Sequence, residues 1–373
     1  NKIVFFNKFF TIINLFKLLI SIKQIPRNFK EFNKKISLKI ANHSERSNLK
    51  INLNDDEFQV FLSYFIFKNI PTAYVENFKN IISYSEKIAI DCDLILTSNA
   101  NFPNEISKFW SAQKVDKGKK LILNEHGGSL PLKYRYYSIF NEIFDNRITW
   151  SKPTSSKEKQ LTPSKLIGYE KIKKDGFYLS LIAIEKTPYA YYCRGGLQSS
   201  LVLDDFNQKE KFLNFIRKSN INFKIKPYKN MGWNLGEKYK KLFGEDHIVR
   251  KNLKTVISES KIIVCTYPAT TFLEAIISGT PTILLFKDKI CEIDDKFLTL
   301  KDELFDKKIA FSSAEEASDH IKKIWNNPLE WWSNVEIVKL RNQFLQECGK
   351  TNVNWLEEWK KYINNQISYK KDD

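Results

Sequence analysis

From Ile262 to Phe286 the chain reads IIVCTYPATTFLEAIISGTPTILLF. An apolar run is followed by a short polar loop, a segment of helical length, a Gly-Thr-Pro turn and a second apolar run. Uninterrupted apolar runs bounded by turn residues predict strands buried on both faces, and hence a βαβ unit of a parallel sheet. The same alternation recurs elsewhere. DLILTSNA, LILNE and ITW at 148–150 predict strands in the first part of the chain, and FYLSLIAI, FKIKPY and KIAF at 308–311 predict strands in the second.

Helices are predicted between these strands. Asp55 or Asp56 caps one that runs through Phe67, and Pro71 opens another through about Lys87. Others cover Glu105 to Gln113, Gln208 to Lys218 and NLKTVISES. Ser313 and Glu316 have capping-box spacing for a helix to Trp325. The tail from Pro328 is helical and broken by Gly349, with Trp355, Trp359 and Tyr362 on one stripe that predicts core packing. The class is α/β with two Rossmann-like parallel-sheet domains.

Residues 3–22 are apolar enough to suggest a membrane span. Asn7, Thr11, Asn14, Lys17 and Ser21 recur at spacings of four and three, however, so the pattern predicts a helix with one polar stripe. A helix packed within a domain or against a missing portion of the chain is favoured over one lying on a membrane surface, and that over a span. No small-residue cleavage site follows it, which argues against a signal peptide.

SKPTSSKEKQLTPSK at 151–165 is rich in Ser, Thr, Pro and Lys and reads as an interdomain linker. The organisation expected is a first domain over 1–155, a second over 166–345 and a closing helix over 350–368. The chain starts at Asn1 without an initiator Met, so an N-terminal portion is expected to precede it.

At 373 residues, 42% hydrophobic, the chain is long enough for two cores and too apolar to be disordered. Its net charge of +17 implies an anionic partner. The Lys residues are scattered and no nucleic-acid motif accompanies them, so nucleic acid is not favoured. Five cysteines, none in a CxxC pair, predict buried thiols in a reducing compartment.

The candidate chemistry lies in loops after strands, where open α/β sheets bind ligands. Tyr267, Thr270 and Thr271 stand at a helix N-terminus, which favours a phosphate. Thr271 and Glu274 also have the spacing of a capping box, and the two roles are compatible. Arg194, Gly195 and Gly196 follow one strand and Lys226-Pro227 another. They offer cations and backbone open to close approach. Phe286-Lys287-Asp288 closes a fourth loop. Glu125-His126-Gly127-Gly128 follows a buried strand, placing a scarce His where a general base would stand, with Glu125 either structural or its orienter. No Walker loop, GxGxxG or HExxH is present. Asp91 and Asp93 have DxD spacing but front an apolar run, so no metal site is expected.

HGG at 126–128, KPYKNMGW at 226–233 and CTYPATTFLEAIISGTPTILLF at 265–286 together resemble the GT-B superfamily of glycosyltransferases. They resemble more closely the bacterial surface-carbohydrate transferases of sialyl, Kdo and pseudaminyl type. The match covers about the last two-thirds of the chain. The resemblance implies two domains facing a cleft and a first domain longer than this one. Thr270 and Thr271 would hold a donor phosphate, Glu274 would reach the ribose or cap the helix, and His126 would lie at the acceptor side. Lys226-Pro227 replaces the His-Pro pair common in such enzymes, which keeps a cation but loses a titratable acid. Ser129-Leu130-Pro131 replaces the expected Tyr-Gly.

The activity expected is metal-independent transfer of a sugar from a nucleotide donor, with a CMP-linked acidic sugar as one candidate. The acceptor is a surface glycan or glycolipid, with no cofactor beyond the nucleotide-sugar substrate. The expected location is cytoplasmic, extending to peripheral contact with the inner face of the membrane. A nucleotide-sugar epimerase of the same fold and a non-catalytic binding module are the alternatives.

Overall fold

The computed structural model describes the chain except residues 1–2, 7–8, 26–29, 34–35, 50–55, 100–103, 132–141, 173–175, 186, 189–198, 288–289 and 369–373. Two five-stranded parallel sheets organise it. The first has the order β1 (Ile3–Phe6), β2 (Leu94–Thr97), β3 (Lys120–Asn124), β4 (Asn146–Thr149) and β5 (Glu158–Gln160). The second comprises β6 (Tyr178–Ile182), β7 (Phe223–Lys226), β8 (Ser260–Cys265), β9 (Thr282–Leu285) and β10 (Ala310–Phe311). Its order is β10-β9-β8-β6-β7. The chain divides into two compact units, one of residues 1–124 with 360–373 and the other of residues 125–359.

In the first unit β1 pairs in parallel with β2, Ile3 opposite Leu94 and Phe6 opposite Thr97. The expectation of one helix over 3–22 is therefore corrected. Ile3-Val4-Phe5-Phe6 is a fully buried strand, and the helix is only Ile12–Ser21, capped by Thr11 accepting from the Asn14 N–H. Four consecutive buried apolar residues satisfy a two-sided strand better than the one-sided face of a helix. Phe6, Phe32 and Trp110 pack edge-to-face with centroids 4.6 to 5.8 Å apart. Asp56 caps the helix Glu57–Asn69, as expected. Pro71 instead precedes a short 3-10 turn at Thr72–Tyr74, and the next α-helix begins at Phe78.

Among the described residues no helix is long and apolar enough to cross a membrane. The described cysteines, Cys92, Cys265, Cys291 and Cys348, are buried free thiols, as the sequence predicts.

In the second unit the sheet packs a core on each face, and its central strands β8 and β9 are buried along nearly their whole length. Along β8, Ile263 and Cys265 join one core with Phe272, Leu273 and Phe344. Ile262 and Val264 join the other with Phe212, Ile216 and Phe223. The segment 151–165 holds β5 and the buried residues Leu161, Thr162 and Ser164. Ser313 caps Ala314–Ile324 by accepting from the Glu316 N–H. Trp359, Tyr362 and Ile363 form the buried stripe of the last helix.

Candidate functional site

The second sheet reverses its winding between β6 and β8. From β6 the chain adds β7 on one side, then crosses back to add β8, β9 and β10 on the other. The crevice outside the carboxyl ends of β6 and β8 is thus the topological switch point, where such sheets bind ligands. Thr266 closes it at the base. Its hydroxyl accepts from the Ile184 N–H at 3.2 Å and donates to the Ile182 carbonyl at 3.1 Å, tying the two strand ends together.

The loop after β8 leads into the helix Thr270–Ser278, which ends at Gly279 in the left-handed region, φ 74°. The capping box expected of Thr271 and Glu274 is not formed. The helix begins two residues earlier, with Ala269 extended at the cap position, and no side chain caps it. Glu274 lies buried further along. Its carboxylate accepts the Tyr169 hydroxyl at 2.8 Å and lies 3.9 Å from the Lys165 ammonium. Burial raises its carboxyl above the usual range, against the opposing pull of Lys165 and Tyr169.

Thr270 is turned outward from its helix to another loop. Its hydroxyl oxygen accepts the Gly128 N–H at 3.2 Å. A Cβ at Gly127 would come within 2.8 Å of the same oxygen, so the glycine permits the approach. The Gly-Gly pair after β3 and the Thr pair after β8 thus meet at one hydroxyl. His126, next to the pair, is exposed and Tyr267 is buried. Glu125 is held through Trp150. Its carboxylate accepts the Trp150 N–H at 2.6 Å, and its carbonyl accepts the indole N–H at 2.9 Å. Burial raises the Glu125 carboxyl above the usual range.

The loop after β7 is held from β6 by a residue the sequence reading missed. The Glu185 carboxylate accepts the N–H groups of Met231 and Trp233 at 2.8 and 3.0 Å and that of Leu235 at 3.2 Å. It thereby substitutes for a cap on the helix Leu235–Phe243, whose own cap residue Asn234 is left-handed and makes no side-chain cap. The one signal in sequence was a carboxylate directly after the apolar run FYLSLIAI; its partners lie 46 to 50 residues away. Tyr169 and Lys165, the partners of Glu274, were missed as well and carry no local pattern.

Lys226 is half-buried and its ammonium donates to the Lys251 carbonyl at 2.7 Å. Burial lowers its pKa. Lys287 pairs with Asp204 at 2.9 Å. Arg194, Gly195 and Gly196 lie outside the described residues. No group of three or more His, Cys, Asp or Glu suited to a metal occurs among the described residues.

A family model described as the LIC12162 family transferase matches residues 1–363, almost the whole chain. The chain belongs to that family. No curated protein sequence matches this transferase. Among solved structures it is similar to MurG of Acinetobacter baumannii, with 11% identity over 79% of this chain and 80% of that one and a TM-score of 0.46. It is similar to the spinosyn forosaminyltransferase SpnP, with 9% identity over 98% and 99% of the chains and a TM-score of 0.46. It is also similar to Anabaena Alr3699/HepE in complex with UDP and glucose, with 10% identity over 99% of each chain and a TM-score of 0.45.

Proposed function

We propose that this transferase is a glycosyltransferase that takes a sugar from a nucleotide donor. The observation that carries the reading is the 3.2 Å hydrogen bond from the Gly128 N–H to Thr270. It joins a loop bearing an exposed His to a helix N-terminus that no side chain caps, at the sheet's switch point. The first-turn N–H groups of Thr270–Ser278 would receive the donor phosphate, with the Thr270 and Thr271 hydroxyls beside them. Fixed N–H groups and the helix dipole stabilise negative charge as it builds on the leaving phosphate, so the reaction needs no metal. His126 would take the proton of the acceptor hydroxyl as that oxygen bonds the anomeric carbon and the bond from that carbon to phosphate breaks. Glu274 lies behind the helix start, and its contribution is to hold Tyr169 and Lys165.

The basic charge favours an acidic donor sugar, such as a CMP-linked one, and the sequence resemblance favours a surface glycan or glycolipid acceptor. The buried free thiols fit a reducing cytoplasmic location.

The test is thermal-shift titration with CMP, UDP, GDP and their sugars. A ligand bound only to the native state raises Tm with its concentration. One nucleotide is expected to stabilise the protein, and Thr270→Val with Thr271→Val is expected to abolish that shift. No response to any nucleotide, or an unchanged shift in the folded double variant, would remove the reading. Conversion of a nucleotide-sugar without acceptor would move the activity to the epimerase class.

A further inference from the structure

The helix Ile12–Ser21 is apolar on two faces, and only one of them is buried. Leu15, Leu18 and Leu19 face the interior. Ile12, Ile13, Phe16 and Ile20 are exposed, at 77%, 69%, 48% and 67%. At 3.6 residues per turn these four fall within an arc of about 100°. Lys17, exposed, flanks that arc, and Ile25 continues the apolar surface past the helix end at 81% exposure. A contiguous exposed apolar face of this kind marks an interaction surface.

The charge of the segment identifies the partner. Residues 1–30 carry Lys2, Lys8, Lys17, Lys23, Arg27 and Lys30 and no Asp or Glu; the first acidic residue is Glu31. An apolar helix face in a stretch with cations only matches the surface of a bilayer containing anionic phospholipid. Apolar side chains enter the headgroup boundary there and ammonium groups pair with lipid phosphates. A second copy of this chain fits poorly, because pairing the two faces would bring like charges together. The helix is ten residues long, about 15 Å, or half of a hydrocarbon core, so it lies on a bilayer and does not cross it.

We propose that the Ile12–Ser21 helix docks this transferase, face down through Ile12, Ile13, Phe16 and Ile20, onto anionic phospholipid membranes. The inference does not depend on the reading of the sugar-transfer site.

The experiment is flotation of the whole chain with phosphatidylcholine vesicles, with and without phosphatidylglycerol, across a salt series. Binding is expected to require phosphatidylglycerol and to weaken as salt rises. Ile13→Ser with Phe16→Ser, and separately Lys17→Glu with Lys23→Glu, are each expected to weaken it by about tenfold or more. These residues are exposed, so circular dichroism and Tm should match the parent protein. Absence of binding by the parent, equal binding to neutral and anionic vesicles, or charge-reversed protein binding as well as the parent would each overturn the proposal. So would substitutions that change the oligomeric state while leaving vesicle binding intact, which would assign the face to a second copy.

Discussion

The Glu125 carboxylate accepts the Trp150 backbone N–H at 2.6 Å, and the Trp150 indole N–H donates back to the Glu125 carbonyl at 2.9 Å. Trp150 is fully buried, and the Glu125 N–H donates to the Ile148 carbonyl. The residue before His126 is thereby clamped on its backbone and its side chain to the segment that follows β4. A carboxylate used in this way ties down the backbone from which His126 projects.

The first prediction separates that role from proton transfer. Glu125→Gln keeps an acceptor for the Trp150 N–H and should retain the fold and most of the turnover. Glu125→Ala leaves a buried donor unmade and should cost about 1–3 kcal/mol in urea denaturation. A Gln variant of native stability whose turnover falls by two orders of magnitude would show that the carboxyl itself handles protons.

The second concerns the meeting of the loops. Gly127→Ala would place a methyl group 2.8 Å from the Thr270 hydroxyl, closer than real contacts allow. It should destabilise the protein by about 1–3 kcal/mol. Adding Thr270→Ala removes the obstructing oxygen. The double variant should therefore recover part of the loss, with a coupling of at least about 0.5 kcal/mol between residues 143 positions apart in the chain. Strictly additive losses would mean that the loops relax apart.

Most strands of the two sheets were legible because buried parallel strands write apolar runs, and Ile262 to Phe286 is one strand, one helix and one strand as expected; β5, Glu158-Lys159-Gln160, was not, because its polar residues read as linker. β1 was hidden because IVFF continues into an apolar helix with no turn signal between them that fixes the change of period. The start of the Thr270–Ser278 helix was misplaced by two residues. Neither threonine serves as the cap, because tertiary contacts take the groups the box would use: Thr270 bonds Gly128, and Glu274 bonds Tyr169, 105 residues earlier. Glu185 shows the same limit from the other side. Its type and place after a strand could be seen, but the three N–H groups it binds are set by the fold.

The third prediction is a pH dependence. His320 packs against Phe311 and Trp331, with ring centroids 5.3 and 5.0 Å away. Burial, aided by Lys323 and Lys308, lowers its pKa to about 4. In the unfolded chain it would titrate near 6.5. Between those values the unfolded state binds more protons, so stability should fall as pH drops from about 6.5 to about 4, by at most about 1.4 kcal/mol per unit from this residue. His320→Phe should flatten that slope in denaturant melts taken across the range. A variant with the parent's slope would assign the acid sensitivity to other groups.

The last prediction concerns His126. It is exposed, it follows the clamped Glu125, and the Gly128 N–H two residues on is bonded to Thr270 at the proposed phosphate site. A positioned general base typically contributes ~10²–10⁴-fold to rate, so His126→Ala should lower transfer by that range. The nucleotide would be held by Thr270, Thr271 and the helix N-terminus, so its affinity in the thermal-shift titration should stay within about twofold, a change worth under about 0.5 kcal/mol. Full turnover in the variant would make His126 a loop residue and send the search for the base elsewhere. Loss of nucleotide binding with transfer would mean that His126 touches the donor, and the division of the site into a donor helix and an acceptor loop would then be wrong.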